Sequence, residues 1–194
     1  MLDAFDPGAR ALAKSFIGNI ELSDAALSCL ESGINVRRYL DRLVAQGLAL
    51  DALTLIARAL PAPLVVAWGC ECLRMGLEGS GPGIDAERAG IALAEQCMKE
   101  PTADHRQLCL EFAESSRRRT AAAWVATAAA WADGPLTPPN APVKVDAPAH
   151  AVGEAVVAAL RIAGARGGND PTPRLAAFAN RALTLFGPRA TRPV

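Results

Sequence analysis

The chain has 194 residues, 51% of them hydrophobic and 5% aromatic, which supplies a full core and excludes disorder over most of its length. Lys plus Arg and Asp plus Glu number 20 each, so the formal net charge is zero. That balance excludes the basic footprint of a general nucleic-acid binder and the cationic cluster of a polybasic membrane anchor, and it favours self-association or partner binding over colloidal repulsion.

The opening residues, Met1-Leu2-Asp3-Ala4-Phe5-Asp6, lack the basic and then apolar layout of a signal peptide. No apolar run reaches the ~20 residues of a membrane span. A cytoplasmic location is therefore expected. The cysteines, Cys29, Cys70, Cys72, Cys97 and Cys109, are odd in number and lie within helical patterns, which suits reduced thiols.

The first helical stretch is predicted over about 7–16. Ser23 then caps a short helix carrying Ala25, Ala26, Leu27 and Leu30, and Gly33 ends it. Asn35 caps the clearest amphipathic pattern, in which Val36, Tyr39, Leu40, Leu43 and Val44 follow i, i+3, i+4, i+7, i+8 and Gly47 stops the run. Leu53, Ile56 and Leu60 line the next helix, and the short connection implies an antiparallel hairpin.

Pro61 and Pro63 open a segment from Leu64 to Met75 that is apolar nearly all round, which predicts a helix at the middle of the core. After the turn 79–83, Asp85 is expected to cap a helix with Ala89, Leu93 and Cys97 on one face. Thr102 caps the next, with Leu108, Cys109, Phe112 and Ala113 inward, and Arg117, Arg118 and Arg119 close it. Thr120 starts an alanine-rich helix on which Trp124, Ala128 and Trp131 share a face.

The segment 134–148 holds Pro135, Pro138, Pro139, Pro142 and Pro148 and should be an irregular strap. One helix follows with Val152, Val156, Ala159 and Ile162, ending at 164–168. A last one carries Leu175, Phe178, Ala179, Ala182, Leu183 and Phe186. The fold class is all-α: a compact array of about eight to nine short helices, partly stacked antiparallel pairs. One domain over 1–194 is expected, with a main array over 1–133, the strap, two C-terminal helices over 149–187 packing back, and a frayed tail at 188–194.

Candidate chemistry is sparse. Cys70 and Cys72 lie two residues apart, about 200° around a helix, so their thiols face opposite ways, whereas a zinc site needs converging ligands. Cys97 and Cys109 could join one of them from neighbouring helices to form a metal or thiol site. His105 and His150 stand at helix starts, away from any nucleophile motif. The turn 79–83 lacks the strand, Lys and Ser or Thr of a phosphate-binding loop. Arg117–Arg119 suits a helix C-terminus, where the macrodipole favours cations. Glu71 is the one acidic group on an otherwise apolar helix, and Arg74 is spaced to pair with it, giving either a wet edge or a polar spot in a pocket. Trp68 and Trp124 read as core anchors. Trp131, beside the strap, suits core or interface equally.

The chain resembles a known family in a series of segments: Leu22-Ser23-Asp24-Ala25-Ala26, Tyr39-Leu40-x-x-Leu43, Asp51-Ala52, Ile56-Ala57-x-Ala59-Leu60-Pro61, Ala67-Trp68-x-Cys70-x-Cys72-x-Arg74, Ala122-Ala123-Trp124 and Ala130-Trp131 followed by Gly-Pro-Leu-x-Pro-Pro. These look like an uncharacterised bacterial all-helical family associated with type VI secretion gene clusters. The similarity runs from about residue 10 to the last helix. Its motifs are core and turn residues, so it implies a shared fold and carries over no catalytic residue. Relatives tend to have a basic residue, an acidic one and then Ala-Val-Trp-Trp after the Leu-Pro, whereas Pro61 here is followed by Ala62-Pro63-Leu64-Val65-Val66-Ala67-Trp68. Binding through that acidic-basic pair would be altered in this chain.

The leading expectation is a non-enzymatic cytoplasmic accessory or adaptor that binds other proteins of a type VI secretion system, with no cofactor, no nucleic acid, no membrane insertion, and self-association open. Glu71, Arg74 and Trp131 are the candidate interaction or pocket residues. The alternatives are a ligand-binding or enzymatic domain with a pocket around Glu71 and Arg74, and a metal or thiol site using Cys70, Cys72, Cys97 and Cys109.

Overall fold

Three side chains anticipated as helix caps, Ser23, Asn35 and Thr102, occupy their positions, and Thr120, read as a helix start, caps as well. Ser23, Asn35, Thr102 and Thr120 each sit in extended backbone and accept a bond from the amide three residues on: Ala26, Arg38, His105 and Ala123. Each satisfies a donor that the first helical turn leaves without a partner. A computed structural model describes residues 12–18, 20–79, 81–166 and 170–186. Among them every regular element is helical, and the one bridge of β type joins Leu12 and Asn35. No described helix is long and apolar enough to cross a membrane.

The helices in chain order are α1 Lys14–Ile17, α2 Asp24–Ser28, α3 Val36–Ala45, α4 Ala49–Ala59, α5 Ala62–Met75, α6 Pro82–Lys99, α7 Ala103–Ser115, α8 Ala121–Ala132, α9 Ala151–Gly164 and α10 Thr172–Leu183, followed by a 3-10 turn, Thr184–Phe186. They fall into two compact units, one of residues 1–60 with 172–194 and one of residues 61–171. The two C-terminal helices thus belong to different units. Most of the first predicted stretch and the tail after Phe186 lie outside the described residues.

In the first unit α10 packs on α4 and α3. Val36, Tyr39, Leu40 and Leu43 of α3, Leu53, Leu55 and Ile56 of α4, and Leu175 and Phe178 of α10 are buried. Gly33 and Gly47 both take positive φ, 76° and 75°, which lets the chain reverse after α2 and after α3. Charged groups hold helix ends here. The Asp51 carboxylate accepts from the Ser23 amide at 2.7 Å and hydroxyl at 3.0 Å, so it extends the cap of α2. The Arg37 guanidinium donates to the Leu183 carbonyl at the end of α10.

In the second unit the central element is α8, which packs against α5, α6, α7 and α9. The sequence pattern had pointed to α5 instead. The difference lies in side-chain size: eight of the twelve residues of α8 are alanine, so four helices can approach its backbone, and its residues 121–123 and 125–130 are buried. Helix α5 keeps a half-exposed edge at Leu64, Ala67, Glu71 and Arg74. Glycines permit the closest approaches. A Cβ on Gly69 would lie 2.9 Å from Val156 of α9, and one on Gly90 would overlap the Phe112 ring of α7 and come within 2.8 Å of the Ala122 Cβ of α8.

Helix α8 is held at both ends by charges from its neighbours. Glu87 of α6 is 7% exposed and accepts from the Ala122 amide at 2.9 Å, while its second oxygen pairs with Arg166. Arg106 of α7 is 8% exposed and donates from Nε to the Ala130 carbonyl at 2.9 Å and from Nη2 to the Pro135 carbonyl at 3.1 Å. A carboxylate at the N-terminus and a guanidinium at the C-terminus both complement the helix dipole.

Several expected faces shift. Helix α6 begins at Pro82 with Gly81 (φ 138°) before it, which puts Asp85 in the first turn instead of at the cap. Its buried face is Glu87, Gly90, Ile91, Ala94 and Cys97, while Ala89 is exposed. Leu108 on α7 is 46% exposed, and the position in register with Cys109, Leu110 and Ala113 is Arg106. Trp68 is buried, whereas Trp124 is only half-buried.

Candidate functional site

The sequence-derived site residues lie on α5, α6, α7 and α8. Arg74, near the C-terminus of α5, makes a two-point pair with Glu95 of α6, at 2.9 Å from Nε and 2.7 Å from Nη2. The hydrogen bond from Arg74 holds the Glu95 carboxyl below the usual carboxylate range, and Glu95 raises the Arg74 guanidinium further. The anticipated intrahelical pairing of Arg74 with Glu71 is replaced by this interhelical fork, because a planar guanidinium matches both oxygens of a carboxylate facing it. Glu71, one turn earlier, is half-buried and has its own interactions. The pair therefore ties α5 to α6 at the surface.

Beneath this pair lies Cys70, 2% exposed. Burial pushes its thiol up to about 12, with Glu95 adding to the rise and Arg74 opposing it. Deeper in the unit, Cys97 of α6 and Cys109 of α7 are 1% and 0% exposed. The two thiols act on each other's titration. The Cys109 Sγ also lies 3.5 Å from the Leu93 carbonyl, and the Cys97 Sγ 3.8 Å from the Ala129 carbonyl of α8.

The influence of Cys109 lowers Cys97, assisted by His105 and Arg106 and opposed by burial and Asp133. Cys97, with burial, raises Cys109. Cys70 acts electrostatically on Cys109. Cys72 is buried too, two residues from Cys70 and so on another side of α5. Among the described residues no three of His, Cys, Asp and Glu are placed to hold a metal ion, so the four-cysteine metal reading lacks a ligand set there.

Trp131 is half-buried, and its indole N–H donates to the Leu136 carbonyl at 3.3 Å, which fixes the start of the strap to the end of α8. The strap folds on itself through the Leu136 amide and the Val145 carbonyl at 2.8 Å and leaves Val143 and Val145 exposed, at 65% and 47%. His105 is bonded at both ring nitrogens, Nδ1 to the Glu100 carbonyl at 2.7 Å and Nε2 to the Gln96 amide at 3.0 Å, so it pins the α6–α7 connection. His150 stands 3.8 Å from Glu154 at the start of α9. Arg117 and Arg118 take φ of 51° and 52° and turn the chain from α7 into α8, with Arg118 reaching Glu114 at 3.6 Å.

Residues 39–186 match the model of a family of unknown function, DUF6931. The chain belongs to that family. The matched span runs from the middle of α3 to the 3-10 turn after α10 and includes all of the cysteines of the second unit. No curated protein and no solved structure matches the chain. Sequence reasoning had passed over the buried charges of this span, Glu87 and Arg106. A signal for both was present, since each stands in helical register with the apolar stripe of its own helix.

Proposed function

We propose that this member of DUF6931 acts by binding another protein and not by catalysis. The observation that carries this reading is the use made of the buried charges in the second unit. Glu87 and Arg106 are committed to the ends of α8, where they serve the fold. Large apolar side chains meanwhile remain at the surface: Met75, Leu108, Val143 and Val145 are each about half exposed or more, at 51%, 46%, 65% and 47%. Exposed apolar side chains of that size are the raw material of partner surfaces.

The resemblance to proteins of type VI secretion gene clusters supports a partner among the cytoplasmic components of that apparatus, and a cytoplasmic location for the chain itself. Tagged protein expressed in its native host and cross-linked before purification should retain an identified secretion component in fixed stoichiometry. Leu108→Asp and Val143→Asp should release it while leaving thermal stability unchanged, because both side chains face solvent. Retention of no secretion component, or equal retention by both variants, would refute the reading.

A further inference from the structure

The strap between α8 and α9 is tied along one side to its own start. The Val145 carbonyl accepts from the Leu136 amide at 2.8 Å, and the Val145 amide donates to the Thr137 hydroxyl at 3.3 Å. Both backbone groups of Val145 therefore face residues 136 and 137, which are half-buried. From 144 to 148 the chain runs without helix, bend or turn, and in extended chain the backbone groups of successive residues point to opposite edges. Those of Lys144 and Asp146 thus face away from the strap. Among the described residues they make no hydrogen bond, and residues 142–146 are all exposed.

We propose that residues 144–146 are a self-complementary strand edge on which a second copy of this chain pairs antiparallel, centred on Val145.

Charge selects the occupant and the register. The edge reads Lys144-Val145-Asp146. An antiparallel copy centred on Val145 sets each Lys144 opposite the other copy's Asp146 and each Val145 opposite its equivalent, and both kinds of cross-strand pair are favourable. A parallel copy in register would set Lys144 beside Lys144. The Lys144 ammonium donates to the Pro138 and Pro139 carbonyls, which leaves its third proton for a carboxylate. In the antiparallel register Lys144 of one copy and Asp146 of the other exchange amide and carbonyl bonds. Pro142 and Pro148 take the next outward positions, and they lack the N–H that would extend the ladder. The opposite edge of the strap is already bonded to residues 136 and 137, so the pairing closes at two copies instead of growing into a filament. An edge this short buries less than the roughly 1,000 Å² of a stable interface, so the dimer is weak and reversible. Pairing of this kind needs no other protein species, so it stands or falls separately from the partner reading above.

The test is sedimentation of the purified full chain under reducing conditions, over micromolar to millimolar concentrations, where monomer should pass into dimer. Asp146→Lys sets like charges across the pair and leaves the bonds of Lys144 within the strap in place; it should weaken the dimer by about tenfold or more. Lys144→Glu should do the same, and an equimolar mixture of the two variants should pair again, because each acidic position then meets a basic one. A second measurement reads the register. In a Cys29→Ser background, which removes the half-buried thiol of the first unit, Val145→Cys should link two copies under oxidised glutathione, since opposed residues at the centre stand about 4.5 Å apart at Cα. Val143→Cys, about 13 Å from its equivalent in this register, should not. A parent chain that stays monomeric throughout would overturn the proposal. So would an Asp146→Lys chain that dimerises as tightly as the parent, equal cross-linking at 143 and 145, or a mixture that fails to pair although both variants melt at the parent's temperature.

Discussion

Arg106 and Gly134 form a lock whose energetics can be worked out. The Arg106 guanidinium bonds two carbonyls at the C-terminal end of α8, those of Ala130 and Pro135, and it occupies the space that a Cβ on Gly134 would need. Hydrogen bonds from a charged donor contribute about 1.5–3 kcal/mol each. Arg106→Met removes both and leaves buried carbonyls without a donor, but it also removes a costly buried charge and keeps most of the stem's packing. The net loss should be about 2–4 kcal/mol, or roughly 5–15 °C in Tm for a chain of this size. Gly134→Ala should cost about 2–3 kcal/mol, because the new methyl group expels the guanidinium from the same bonds. In the Arg106→Met background a flexible side chain occupies that space. There Gly134→Ala should cost under about 1 kcal/mol, and the two changes should couple by about 1.5 kcal/mol or more. Urea melts of the parent, both single variants and the double variant measure this directly. Additive costs, or an Arg106→Met loss below about 1 kcal/mol, would refute the assignment of Arg106 as the clamp on α8.

Close packing and the surface ion pair give two further predictions. Gly90→Ala places a methyl group against Phe112 and Ala122 and should destabilise by about 1–3 kcal/mol; in a Phe112→Leu background, thermal melts should show that penalty reduced by half or more. The Glu95 carboxyl is held down by Arg74 in the folded state, so its contribution is present above the unfolded glutamate value and is lost as the pH falls through the lower folded one. The side chains are 46% and 37% exposed, so screening limits this contribution to less than about 1 kcal/mol. Glu95→Gln should therefore lower Tm slightly at pH 7 and approach the parent as the pH falls through the lowered folded value; a Tm difference that grows on acidification would contradict the pairing.

Local chemistry along the chain determined where the helices begin and what kind of fold they make. A cap is an interaction over three residues, and an amphipathic stripe is a count of spacing, so Ser23, Asn35, Thr102 and Thr120 and the α3 stripe could be read without knowing any neighbour. Opposed directions for Cys70 and Cys72 followed from the helical period alone. Tertiary structure decided which helix lies at the centre, because centrality depends on how closely neighbours approach. Alanine-rich α8, with Gly90 and Gly69 facing it, admits four neighbours that the bulkier α5 does not. Tertiary structure also chose Glu95 over Glu71 for Arg74, assigned Glu87 and Arg106 to the ends of α8, and set the Cys97 and Cys109 thiols against the Ala129 and Leu93 carbonyls. Each of these depends on which side chain of another helix arrives at hydrogen-bonding distance. The linear order sets the menu of partners for a charge or a thiol, and the packing of the helices selects among them.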